Sequence, residues 1–276
     1  MRKLLSANLA RLWKASIFRL CILFMAGIAV FILLNQYFTA MEYGYSKQLD
    51  NFILGYSLLI GIVAAVFSSL FLGTEYSDGV IRNKLIVGHG RISIYLSMLL
   101  TNIIAAMVMC LTFLIVICAI GIPLIGTLSI SPLAFTAMLL GSLVMVCAVC
   151  AILTTISMLV PNKAVAAIIC ILGMVFLMIE AMDIQQKLDA PEFYPAAAVL
   201  VDGEFSMSEE YPNPSYLSGE TRKLYELVYD ILPTGQAFQY ASMEARNLWQ
   251  MPLYSLGIVI VSTFVGTFFF RRKDIK

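Results

Sequence analysis

The feature that most limits this chain is a charge-free run. Between Ile92 and Asn162 there is no Asp, Glu, Lys, Arg or His. A soluble domain carries roughly a quarter of its residues as charges, so a run of this length has no place on a wetted surface. It is also too long for one bilayer crossing, which takes about 20 apolar residues. Gly121, Pro123, Gly126, Ser129, Ser131 and Pro132 cluster in its middle. A tight uncharged turn there divides the run into two spans, near Ile94 to Ile120 and Leu133 to Val160.

The same reasoning finds four more spans, near Leu20 to Phe38, Phe52 to Leu72, Ala164 to Met182 and Met251 to Phe270. With 61% apolar and 13% charged residues, the whole chain has the composition of a membrane protein. The expected fold class is therefore an all-α integral membrane protein with six transmembrane helices. Residues 1–182 form a membrane domain, residues 183–250 a large extracellular segment between the fifth and sixth helices, and residues 251–276 the last span with a cytoplasmic tail.

The first residues, MRKLLSANLARLWKAS, precede the first span. Leu5, Leu9 and Leu12 fall at helical spacing, with Trp13 beside them and Arg2, Lys3, Arg11 and Lys14 largely opposite. This predicts an amphipathic helix over 2–16 in the inner interface, retained rather than cleaved as a signal peptide. The outer segment divides in two. Residues 189–219 are rich in Pro, Ser, Tyr and acids and predict a loosely structured cap. Residues 220–249 have helical texture, with a turn at Pro233, Thr234 and Gly235.

Charge fixes the orientation. Thirteen of the eighteen Lys and Arg residues fall on the side of the termini, while fourteen of the seventeen acids fall on the other. The positive-inside rule places the termini, the 73–91 loop and Lys163 in the cytoplasm and residues 183–250 outside. An acidic exterior attracts cationic molecules by its long-range field, and it also simply keeps an exposed loop soluble.

The 73–91 loop joins the second and third spans. Its acids Glu75 and Asp78 precede a short apolar core that carries Arg82, Asn83 and Lys84, and Gly79, Gly88 and Gly90 punctuate it. The pattern predicts a helix of two to three turns, started by Ser77 or Asp78 as N-cap and stopped by Gly88. Ile81 and Leu85 share one face, with Arg82 beside it. Too short to cross a bilayer, the helix lies at its surface.

Glu75, Gly79, Arg82 and Arg91, followed at once by a span, resemble the first cytoplasmic loop of ABC-2 type permeases, as found in bacterial bacitracin and lantibiotic export and immunity systems. The chain differs at Val80, where the family often has Thr, and at Met98, where a Lys often follows the loop. The resemblance implies that Glu75, Asp78, Gly79, Ile81, Arg82, Asn83, Lys84, Leu85 and Arg91 form a coupling helix. That helix rests in a groove of a separate ABC ATPase subunit, itself dimeric. It further implies a second permease subunit, identical or related, a substrate route at the dimer interface lined by spans one, two and five, two short outer helices before the last span, and residence in a bacterial plasma membrane.

Enzyme classes find little here. No G-x-x-x-x-G-K-[ST] phosphate loop occurs, so ATP and Mg would be bound by the partner and not by this chain. The lone His89 stands between two glycines, and the spans present no catalytic pairing. Cys147 and Cys150 form a CxxC without further metal ligands and read as small apolar fillers. The six cysteines all lie in apolar runs, which argues against a disulfide framework. Nothing in the sequence calls for nucleic acid, and the bilayer is the expected environment. The expected function is the permease subunit of an ATP-driven exporter. The alternative is a non-transporting sensor or immunity protein that binds a ligand through its extracellular segment.

Overall fold

The computed structural model describes residues 1–43, 49–126, 128–194, 198–201, 204–207 and 210–274. In chain order the helices are α1 (Arg2–Lys14), α2 (Ser16–Tyr43), α3 (Asp50–Ile53), α4 (Tyr56–Ser77), α5 (Val80–Ile86) and α6 (Arg91–Val116). A π turn (Ile117–Gly121) leads to α7 (Ile122–Ile125), then α8 (Pro132–Leu159) and α9 (Lys163–Asp189). Strands β1 (Phe193–Tyr194), β2 (Ala198–Val201), β3 (Glu204–Met207) and β4 (Tyr211–Pro212) follow, then α10 (Gly219–Ile231), α11 (Pro233–Ala241) and α12 (Gln250–Arg272).

Six helical stretches are long and apolar enough to cross a bilayer: Ser16–Glu42, Tyr56–Ser77, Arg91–Ile125, Pro132–Leu159, Lys163–Asp189 and Gln250–Arg272. The chain is thus built as an all-α, multi-pass membrane protein. α4 and α8 are its centre. α4 packs on α2, α6, α8 and α9, and α8 packs on α12.

Small residues permit this. A Cβ at Gly61 would lie 2.5 Å from Met174 Cε, and one at Gly266 would strike the Tyr95 hydroxyl. Close backbone approach of this kind is how helices pack without a hydrophobic force between them. Polar links run across the seam: Ser68 donates to Asn102 (2.8 Å), Asn102 to Thr154 (2.9 Å), and Thr155 to the Ser262 carbonyl (3.0 Å). By contrast α2, α9 and α12 turn large apolar side chains outward, among them Phe24, Phe176 and Phe264.

Several boundaries move from those the sequence suggests. The third span does not stop at Gly121. It continues through Pro123 to Ile125, because the π turn absorbs the break, and it ends at Gly126, whose φ of 113° an L side chain rarely adopts. The fifth helix overshoots Met182 to Asp189, since Ile184 and Leu188 are buried with Tyr229. The 189–219 region contains two antiparallel pairs, β1 with β4 and β2 with β3. Between β1 and β4, only β2, β3 and Glu210 are described.

Two short helices, α10 and α11, precede the last span, but the turn falls at extended Leu232. Pro233 then opens α11, so Thr234 and Gly235 are helical instead of turning the chain. A Cβ at Gly235 would lie 2.2 Å from the Tyr229 carbonyl, so glycine is what lets α11 fold back on α10. α11 packs on α4, α8 and α9.

Candidate functional site

At the end of the bundle that carries both termini, the chain between spans two and three leaves α4 at Ser77. Asp78 closes α4 as its C-cap, so neither Ser77 nor Asp78 starts the next helix. Gly79 does, at φ 65°, which allows a sharp turn between α4 and α5. The helix then runs only from Val80 to Ile86. Gly88, at φ 92°, follows its end as expected.

One side chain fixes this helix to the bundle. Glu75, in the last turn of α4, is fully buried. Its Oε2 accepts from Lys84 Nζ of α5 at 2.7 Å, and its Oε1 meets Arg11 Nη1 of α1 at 2.5 Å. Lys84 also donates to Asn8 Oδ1 (2.8 Å), and Asn8 Nδ2 donates to Ser97 Oγ on α6 (3.2 Å). Three helices, α1, α4 and α5, meet at one buried carboxylate, and α6 is tied in through Asn8. Burial holds the Lys84 ammonium below the ordinary lysine range, against the opposing pull of Glu75. A buried charge is tolerated only when paired and hydrogen-bonded, and Glu75 has both forms of support.

The other expected residues divide into two groups. Ile81 is buried and Leu85 partly buried, on the inward face. Arg82 and Asn83 are exposed, and so are Ile86 and Val87, at 72% and 75%. Asp78 is exposed and accepts only from Ser77 Oγ (3.2 Å) among the contacts described.

Arg91 takes a different place. Its Nη1 donates to the carbonyls of Phe270, Arg271 and Lys273 and so closes the C-terminus of α12. Lys273 in turn donates to Tyr76 Oη and to the Met158 carbonyl, both at 3.0 Å. Partial burial brings Lys273 down to about 8.

The α1 stripe is also shifted from the expected one. Leu4, Asn8 and Leu12 are buried, while Leu5 and Leu9 flank them. Asn8 is the residue that sequence reasoning passed over. A polar side chain four residues from a buried leucine on each side is the available signal, because such a group needs a partner.

At the opposite end, a cavity of about 740 Å³ is lined by Ile179, Asp183, Gln186, Asp189 and Phe238 among others. A neighbouring one of about 360 Å³ lies between Ile32 of α2, Leu58 and Leu59 of α4, Gln185 of α9 and Phe238 of α11. Among the described residues no group of three His, Cys, Asp or Glu side chains could hold a metal ion, and all six cysteines are free.

No known family model matches the chain, and no curated protein is significantly similar to it.

Proposed function

We propose that this chain is the permease subunit of an ATP-driven, ABC-2 type exporter, with ATP and Mg bound by a separate dimeric ATPase and a second permease completing the pore. The observation that carries this reading is a short helix held to the bundle by its inward residues while its other face stays open. Glu75 and Lys84 hold α5 from within, and Arg82, Asn83, Ile86 and Val87 are left for a partner. Exposed apolar residues beside a charge form the kind of patch that protein contacts use.

Glu75 and Arg91 then serve to hold the lever and not to touch the motor, whereas Arg82 and Asn83 make the contact. A nucleotide-bound ATPase dimer that grips α5 better in one membrane state than in another would drive the spans between states. The smaller outer cavity, with walls from α2, α4 and α9, supports a substrate route along spans one, two and five. Asp183 and Asp189 in the larger one, paired with Lys187 and Arg246, belong to an acidic segment whose field favours a cationic, amphipathic cargo such as an antimicrobial peptide. The same acidic cavity supports the second reading, a sensor or immunity protein that binds such a ligand without moving it.

The test is an Arg82→Cys variant treated with a membrane-impermeant maleimide, joined to a photocrosslinker carried at Ile86. Labelling from the cytoplasmic side and crosslinking to a protein bearing a phosphate-binding loop support the permease. Labelling from outside alone rejects it. Cytoplasmic labelling with ligand binding but no ATPase partner selects the sensor.

A further inference from the structure

Beside the Glu75 anchor lies a cleft of about 440 Å³ that the reading above leaves unused. Its walls come from α1, the first residues of α2, the end of α4 and the start of α9. The polar part carries Arg11, Lys14 and Lys163, while Ile17, Leu70 and Phe71 line the part nearer the spans. Lys14 and Lys163 are exposed and have no ion-pair partner among the described residues. Arg11 Nη1 approaches Glu75 by charge alone and makes no aligned hydrogen bond. Asp78 is the one acid in the lining, so Lys14 and Lys163, with Arg11 shared between the cleft and Glu75, face one anion there.

One further feature points the same way. Gly73 leaves room for the Lys163 stem to lie on α4, since a Cβ at that position would stand 2.7 Å from Lys163 Cγ. Lys163 is thereby steered over the cleft instead of into bulk solvent.

We infer that this cleft seats the phosphate of an anionic phospholipid, with Lys14, Lys163 and Arg11 around the headgroup and Ile17, Leu70 and Phe71 against the first part of the acyl chains. The choice of a lipid over a free phosphate rests on those apolar walls, which belong to helices long enough to cross the bilayer. A soluble anion has no use for them. Basic pockets between spans are a general means of holding acidic headgroups. This inference does not depend on the transport reading.

The experiment is native mass spectrometry of the full chain in a neutral detergent, titrated with palmitoyl-oleoyl phosphatidylglycerol or phosphatidylcholine. Phosphatidylglycerol should be retained preferentially. Each lysine near the headgroup is worth about fivefold in affinity, so Lys14→Gln with Lys163→Gln should weaken phosphatidylglycerol by about 25-fold and leave phosphatidylcholine unchanged. Asp78→Asn should tighten it, and Arg271→Gln with Arg272→Gln, in the basic tail outside the cleft lining, should not alter it.

Equal retention of the two lipids by the wild-type protein overturns the inference without any variant. So does a preference that survives the double lysine change. If inorganic phosphate alone protects the protein from heat as well as phosphatidylglycerol does, and the lysine variant abolishes that protection, the seat belongs to a soluble anion and the lipid assignment falls.

Discussion

Among the described residues, the two ends of the bundle each bury one carboxylate, and they satisfy it by different means. At the end with the termini, Glu75 is met by two full positive charges, from Arg11 and Lys84. At the other end, Asp230 lies buried at the junction of α10 and α11 and is met by neutral amides: Gln239 donates to its Oδ1 at 2.9 Å and Asn247 to its Oδ2 at 2.6 Å. Gln236 extends that network, donating to the carbonyls of Asp230 (2.7 Å) and Met251 (3.1 Å) and accepting from Ser255 (2.6 Å).

The first arrangement joins α1, α4 and α5 through charge, which acts without demanding close alignment, and reaches α6 through the neutral Asn8–Ser97 bond. The second closes a local fold, from α10 through α11 to the start of α12, with directional bonds over a short stretch of chain. Of these two joints, the one between distant segments is ionic and the local one is amide-bonded.

The sharpest way to break this contrast is Glu75→Ala. It strands two cations where one, Lys84, has little access to water, and should cost about 3–5 kcal/mol, measured by denaturant unfolding in micelles. Pairing Glu75→Leu with Lys84→Met should restore most of that loss, because Arg11 is half-exposed and can turn to solvent. If the double variant is no better than the single one, the joint is not held by charge.

Asp230→Asn should cost less, about 1.5–3 kcal/mol, since one charge-assisted acceptor is exchanged for an amide group that must face another donor. Its damage should also stay local. Faster hydrogen exchange confined to α10, α11 and the first turn of α12 is expected, and spread to α5 would erase the distinction between the two ends.

A smaller effect comes from Lys273. Its folded-state value, about 8, lies below the ordinary 10.5. Between these values the unfolded chain binds more protons than the folded one, so stability should rise as pH increases from about 8 to 10.5. Below pH 8 both states are protonated and this dependence vanishes. Lys273→Met should flatten the slope in that window, as seen in thermal unfolding at a series of pH values. Smallest of all, Arg82→Ala should change stability by less than about 0.5 kcal/mol, because the side chain is exposed, while still removing any partner bound at α5.

The spans were legible because a charge-free run cannot be hidden anywhere but in a bilayer, and each predicted span lies within or overlaps a long helix of the structure. The short helix between spans two and three was legible from Ile81, Leu85 and Gly88. Its start was not, because Ser77 and Asp78 look like caps while α4 keeps them as its own last turn.

The role of Arg91 was hidden for another reason. Its partners are carbonyls some 180 positions away, and main-chain acceptors leave no mark in a sequence. Glu75 looked like a loop acid because its two partners come from separate helices, one of them before the first span. The overshoot of α9 was likewise unreadable, since Ile184 and Leu188 are interrupted by Gln185, Gln186 and Lys187 and gain their cover from far along the chain, from Leu217, Tyr225, Tyr229 and Phe238.

The Gly79 turn has a mechanical consequence. With Glu75 one turn before it and Lys84 one turn after it, the bend is closed on itself like a hasp, so the backbone freedom of the glycine is not free play. On the proposed reading, force on the outer face of α5 passes to α1 and α4 through the Glu75 pairs and to α6 through Asn8, while the π turn at Ile117–Gly121 lies farther along the spans, where a helix can bend.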